Sequence, residues 1–188
     1  LNEYPYEVFL YGVDQKGLEK AIKPYVVNTK LQPAKAKDYP ELATNGKVYF
    51  TNYDMVQMEM SKVAKAGNVN LSNFGKASVF NEYFGRGLSS IVFQEIRESK
   101  SLAYSAYVSY ANATEKNKPN YVTNYIGTQS NKLPAAVSAM SDLMAELPQI
   151  PAQFENAKGS ALKQIASNRI NRTTIFYNQL SLKKLGVD

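Results

Sequence analysis

The residues with the clearest chemical potential lie in one run, R-E-S-K-S-L-A-Y, from Arg97 to Tyr104. A guanidinium donates to carbonyl or carboxylate oxygens. A phenol can donate to a carbonyl that gains negative charge in a transition state. Together the two groups suit a grip on a peptide backbone. A purely structural account fits the same residues, since helix C-termini favour cations and strands favour tyrosine. The chain has no histidine and no cysteine. A catalytic zinc usually draws on two or three imidazoles, and a serine triad needs one, so neither is built from this chain. Disulfides and thiolate ligands are excluded as well. The 16 acidic residues are scattered, and no calcium-type loop is present.

Just upstream, F-G-R-G-L-S-S (Phe84 to Ser90) places Gly85 and Gly87 before a helix. A phosphate cradle would follow a strand and continue to a third glycine or a lysine, and this run does neither. The structural reading is a helix–helix turn that needs positive φ and close approach. The functional reading is that exposed backbone at Gly85 and Gly87 lets an extended chain pass.

The elements that position these residues follow from periodicity. Pro5–Tyr11 reads as a strand, and Asp14 caps a helix running to Val26 with Leu18, Ala21, Ile22 and Tyr25 at helical spacing. Residues 27–47 hold two prolines, dispersed lysines and Asn-Gly, and read as a linker or long surface crossing. Lys47–Tyr53 is rich in strand formers. Met55–Val63 alternates, with Val56, Met58 and Met60 on one side, as a half-buried strand. The methionines are core filler on this reading, not a soft-metal box. Ala66–Asn68 breaks that strand. Ser72 or Asn73 caps a helix to Phe84, and Leu88, Ile91, Val92 and Ile96 mark a second helix ending near Ser99. Leu102–Tyr110 and Tyr121–Gly127 are strands joined by a polar loop. Helices with apolar stripes follow from Leu133, from Pro151 and after Thr173, the last stopped by Gly186. Paired strands with helices grouped between them give an α+β fold, an antiparallel sheet with helices packed on one face.

Composition narrows the partners. The net charge is +6, but the lysines are dispersed and only Lys183 and Lys184 are adjacent, so no nucleic-acid stripe exists. No apolar run is long enough for a membrane span. The first residues carry no signal-peptide features and no Met, so the chain reads as an excerpt of a longer polypeptide. Compartment stays open between bacterial cytoplasm and periplasm. Fourteen tyrosines without tryptophan suit a contact-making surface. Asn112-Ala-Thr114 and Asn171-Arg-Thr173 match the glycosylation pattern, a short motif with little weight.

The stretch F-N-E-Y-F-G-R-G-L-S-S-I-V-F-Q-E-I-R-E-S-K-S-L-A-Y-S-A-Y-V-S-Y, from Phe80 to Tyr110, resembles the C-terminal halves of the insulinase/pitrilysin metallopeptidases, a family that includes mitochondrial processing peptidase. Gly85, Gly87, Ser89, Ser90, Phe93, Gln94, Arg97, Glu98, Leu102, Ala103, Tyr104 and Ser105 sit at matching positions. The run F-L-Y-G-V-D-Q-K-G-L-E-K-A-I-K-P-Y-V, from Phe9 to Val26, resembles the strand and helix that close one homologous domain before a linker. The resemblance implies residues 1–28 as the tail of a preceding domain, 29–46 as a linker and 47–188 as a non-catalytic domain. It also implies a partner half, in the same polypeptide or a partner subunit, that binds zinc through H-x-x-E-H and a distal Glu. This chain would then hold no cofactor and would help enclose a peptide or unfolded protein substrate, with Arg97 and Tyr104 as substrate-binding residues. The short G-R-G loop and the positive charge argue against receipt of basic presequences. A different class stays beside this one: a structural or assembly protein that keeps the fold with no proteolytic role. A last expectation is that the leading strand and helix, Pro5 to Val26, fill the place of the strand and helix that close such a domain, in this chain or in a neighbour.

Overall fold

The structure, a computed structural model, describes residues 6–26, 32, 34–35, 37, 39 and 46–187. Among these the order is α1 (Gln15–Ile22), β1 (Gln57–Asn68), α2 (Phe74–Phe80), a π-helical turn Asn81–Gly85, a π-helix Phe93–Ser99, β2 (Ser105–Ala111), β3 (Pro119–Gln129), α3 (Leu133–Ala145), α4 (Pro151–Ser167) and α5 (Ile175–Leu185). The fold is α+β, as the residue pattern implies.

The three strands form an antiparallel sheet in the order β1-β3-β2. Register runs from Gln57↔Gln129 to Lys65↔Tyr121 on one side of β3, and from Ser105↔Gly127 to Ala111↔Tyr121 on the other. Successive side chains point to opposite faces. Ala106, Val108 and Ile126 therefore share one face, and they are buried with Phe84, Ile91, Val92 and Ile96, and with Ala136, Met140 and Leu143 of α3. Burying a side chain such as Ile126 or Phe84 contributes roughly 1.5–3 kcal/mol. Met58 and Met60 are half-buried on this side, in keeping with a core role.

Tyr83 ties the next layer on. Its hydroxyl donates to the Pro148 carbonyl (2.6 Å) and accepts from the Ile150 amide (2.8 Å), and its ring meets Phe154 edge-on at 5.7 Å. Buried Ala157 and Ala161 offer α4 a small-residue face toward this layer. The loop after β2 holds α5, where Lys116 N–H donates to Lys184 O at 2.8 Å. Gly186 ends α5 at φ 75°.

Several local expectations are corrected. Pro5 lies outside the described residues, and residues 6–11 form no strand and pair with nothing in the sheet. They touch α5 instead, with Phe9 and Phe176 rings 4.7 Å apart. Among the described residues, completion of the sheet by this segment within the same chain is not realised. Lys47–Tyr53 is likewise exposed and unpaired. Strand propensity records fit to a half-buried pleated surface, and these segments have no such surface beside them. Ala66–Asn68 does not end β1. The register slips there, between Lys65 and Asn68, as a bulge at Gly67. Asn73, one of the two expected caps, holds the N-cap position of α2 but makes no side-chain capping bond. The bond is made at the preceding 3-10 turn Leu71–Asn73, where the Asn70 side chain accepts from Ser72 N–H at 3.0 Å. At α1 the expected cap is present: Asp14 Oδ1 accepts from Gly17 N–H at 2.9 Å.

Candidate functional site

Gly85, Gly87, Arg97 and Tyr104 hang on one connection that wraps the outer edge of β2. Asn81 starts it. Its amide donates to Tyr110 O (2.9 Å) and accepts from Tyr110 N–H (2.8 Å), taking the place of a neighbouring strand. The Arg86 amide closes the π-turn on Asn81 O at 2.6 Å. Gly85 then passes so close to β2 that a Cβ would lie 1.9 Å from the Val108 carbonyl oxygen. Only glycine fits there. Gly85 is buried against the strand and does not face solvent.

The chain turns round the edge at Arg86. Its guanidinium carbon lies 5.8 Å from the centre of the Tyr107 ring, on the face opposite Val108. Gly87 follows at φ 87°, a conformation that favours glycine, and it is exposed with open space around it. Buried Ser90 secures the loop: its hydroxyl donates to Gly87 O at 2.8 Å and accepts from Phe93 N–H at 3.3 Å. The Gln94 amide donates to Leu88 O.

Arg97 sits in the π-helix, a form that recurs at functional sites. Two wide bonds close it, Lys100 N–H to Glu95 O at 3.2 Å and Leu102 N–H to Ile96 O at 2.9 Å. Ser101 makes the reversal in the left-handed region, at φ 48°. Three bonds to the end of β3 and the turn after it anchor the exit. Lys132 Nζ donates to Ser101 O at 3.0 Å, the Thr128 hydroxyl donates to Leu102 O, and Tyr104 N–H donates to Gly127 O at 2.9 Å.

This turn brings Arg97 and Tyr104 together. The guanidinium carbon is 5.6 Å from the Tyr104 ring centre and 4.8 Å from that of Phe93. Arg97 Nε is 3.6 Å from Glu98 Oε1, with the two side chains 41% and 53% exposed. Such an exposed pair is worth under about 1 kcal/mol and yields readily to a ligand. Tyr104 is 69% exposed, and among the described residues its hydroxyl has no partner. The corner is a surface site. A cavity of about 940 Å³ lies elsewhere, between the α1 region and Phe176.

The open face of the sheet adds residues that the sequence did not single out as a group. Tyr107 and Tyr125 face each other across β2 and β3 with rings 5.0 Å apart and nearly parallel. A Cβ at Gly127 would lie 3.1 Å from the Tyr125 hydroxyl oxygen, so the glycine leaves room for that ring. Burial pushes the Tyr125 phenol above its ordinary pKa. The nearby Glu59 carboxylate adds to this as an acceptor and as a charge, and Tyr107 adds a smaller part. The tyrosines were visible in the sequence. Their pairing needed the strand register.

The donor set does not fit a catalytic zinc. There is no histidine or cysteine, and among the described residues no group of three acidic side chains converges. No helix among them is long and apolar enough to cross a membrane.

The model for the family described as "Peptidase M16 inactive domain" matches residues 6–160. The chain belongs to the peptidase M16 inactive-domain family. An uncharacterized zinc protease of Bacillus subtilis, YmxG, is 31% identical over 113 residues, covering 56% of the chain and 27% of the relative. Two solved structures share the fold at 14% identity. One is a peptidase M16 inactive domain from Pseudomonas fluorescens, with a TM-score of 0.63 over 92% of this chain and 41% of that one. The other is a protease from Helicobacter pylori, with a TM-score of 0.64 over 93% and 44%. The M16 chain thus spans less than half the length of these relatives.

Proposed function

We propose that this M16 domain holds an extended peptide while a zinc-bearing homologous half, in the same polypeptide or in a partner subunit, cleaves it. The observation that carries this reading is the shared, solvent-facing corner of Arg97 and Tyr104. Arg97 would grip a substrate carbonyl, and the Tyr104 hydroxyl would donate near the scissile carbonyl as charge builds there. Gly87 would leave backbone open beside the passing chain. Gly85 serves by setting how close the loop lies to β2. The division of the chain at the proline-bearing stretch 29–46 belongs to the same proposal, with 1–28 and 47–188 drawn from successive domains.

The test is reconstitution with the zinc-bearing half. Tyr104→Phe is expected to lower kcat by about 10²–10³-fold with little change in KM. Arg97→Ala is expected to weaken peptide binding. This chain alone is expected neither to cleave peptide nor to take up zinc, and stoichiometric ordered zinc would refute the reading. A structural role has one observation in its favour, that Arg97 already rests on Phe93 and Tyr104. On that account both substitutions lower thermal stability and leave cleavage unchanged.

A further inference from the structure

We propose that the open face of the sheet carries a subsite for one cationic side chain, lysine or arginine, of an extended peptide, seated on the Tyr125 ring against the Glu59 carboxylate. The proposal rests on the peptide-holding reading above and names a feature of the peptide that it selects.

Register sets the geometry. Glu59, Gly127 and Ser105 form one cross-strand row, and Ser61, Tyr125 and Tyr107 form the next, all on the face away from the core. Gly127 has no side chain, and Tyr125 leans over it toward the row of Glu59. The phenol stays protonated at neutral pH, since burial and the Glu59 charge both oppose its ionisation. Its O–H faces a carboxylate with further lone pairs to offer a ligand.

Charge selects the occupant. The chain carries a net +6, yet Glu59 has no ion pair among the described residues. An exposed carboxylate beside an aromatic ring offers a cation both a counter-charge and a π-face. The same ladder already hosts a guanidinium one ring away, where Arg86 lies over Tyr107. Arg86 has its ring and leaves Glu59 unneutralised. It also repels a second cation at its own end, which confines an incoming lysine or arginine to the Tyr125 end. Ser61, Ser105 and Gly127 are small enough for a long aliphatic stem to lie along the sheet.

The test uses two fluorescein-labelled nonapeptides that differ only at the centre, one with lysine and one with norleucine, read by anisotropy with the 188-residue chain. The lysine peptide is expected to bind about five- to tenfold tighter at low salt, with the margin shrinking as salt rises. Glu59→Gln, at an exposed position, is expected to abolish the margin and leave the norleucine peptide unaffected. Amide shifts on lysine-peptide titration are expected at Tyr125 and Gly127, which gives a readout on the unmutated chain. Equal binding of the two peptides, or a margin that survives Glu59→Gln, overturns the subsite and leaves the peptide-holding reading intact. Failure of both peptides to bind overturns that reading and the subsite with it.

Discussion

The two faces of the β1-β3-β2 sheet are made by the same backbone and do opposite work. On the covered face Val108 and Ile126 are sealed by the π-helix and α3. Asn124 Oδ1 is buried there without a partner among the described residues, while other polar groups bond within the protein. Buried Asn120, for example, accepts from Ala113 N–H at 2.8 Å and donates to the Tyr110 hydroxyl at 2.9 Å. On the open face the same strands present Glu59, Tyr107 and Tyr125, with half-buried rings and a carboxylate that has no ion pair among the described residues. The covered face stores the stability. The open face, and the Arg97–Tyr104 corner beside β2, keep hydrogen-bonding and aromatic capacity unspent. The difference teaches that the edge connection, Asn81 to Gly87, is what joins the two. It anchors on the strand edge with Asn81 and Gly85, and delivers Arg86 to the other side.

Gly85→Ala strikes this join hardest. Its Cβ has no space beside the Val108 carbonyl, so strand and helix must separate. A loss of about 2–3 kcal/mol is expected in urea unfolding, with the proposed peptide site disordered as a consequence. A stability unchanged from wild type would show that the edge contact is loose. Asn81→Ala comes next. It strands the Tyr110 amide and carbonyl, and about 1–2 kcal/mol is expected, read by the same midpoint and by faster amide exchange at Tyr110.

The smallest expected effect is on the open face. Tyr125→Phe should leave neutral-pH stability nearly unaltered and change its alkaline limb. The phenol has a higher pKa folded than unfolded, so the unfolded chain ionises first. Its contribution is fully present below the ordinary tyrosine range and is lost as pH rises through that range toward the folded value. The wild-type midpoint should therefore fall more steeply above pH ~10 than that of Tyr125→Phe. Parallel curves would mean that Glu59 and Tyr125 do not sense each other, and would weaken the contrast between the faces.

Much of the site was legible because its signals are local. The Phe80–Tyr110 run gave helix, glycine turn, helix and strand from spacing alone, and the resemblance placed Arg97 and Tyr104 within it. The glycine pair was read as a turn needing both positive φ and close approach. The structure divides the two roles, close approach at Gly85 and positive φ at Gly87. Less was legible where the cause is not local. Residues 6–11 and 47–53 have strand composition and no strand, since pairing requires a neighbour that composition does not supply. The π-turns widen a helix by one residue per bond without disturbing its apolar stripe enough to be noticed.

By itself the sequence determined which chemistry is available: no imidazole or thiol, an arginine and a tyrosine flanking one turn, strands that are apolar on one side, and a membership recognisable from one motif. Only the tertiary structure decided which groups meet. Arg97 reaches Tyr104 because Ser101 reverses the chain in the left-handed region and Thr128 and Lys132 pin the result. Tyr107 reaches Tyr125, and Tyr125 reaches Glu59, because strand register sets the rows and Gly127 clears the space. Register and reversal are long-range: they depend on hydrogen bonds between segments far apart in the chain, which no local pattern encodes.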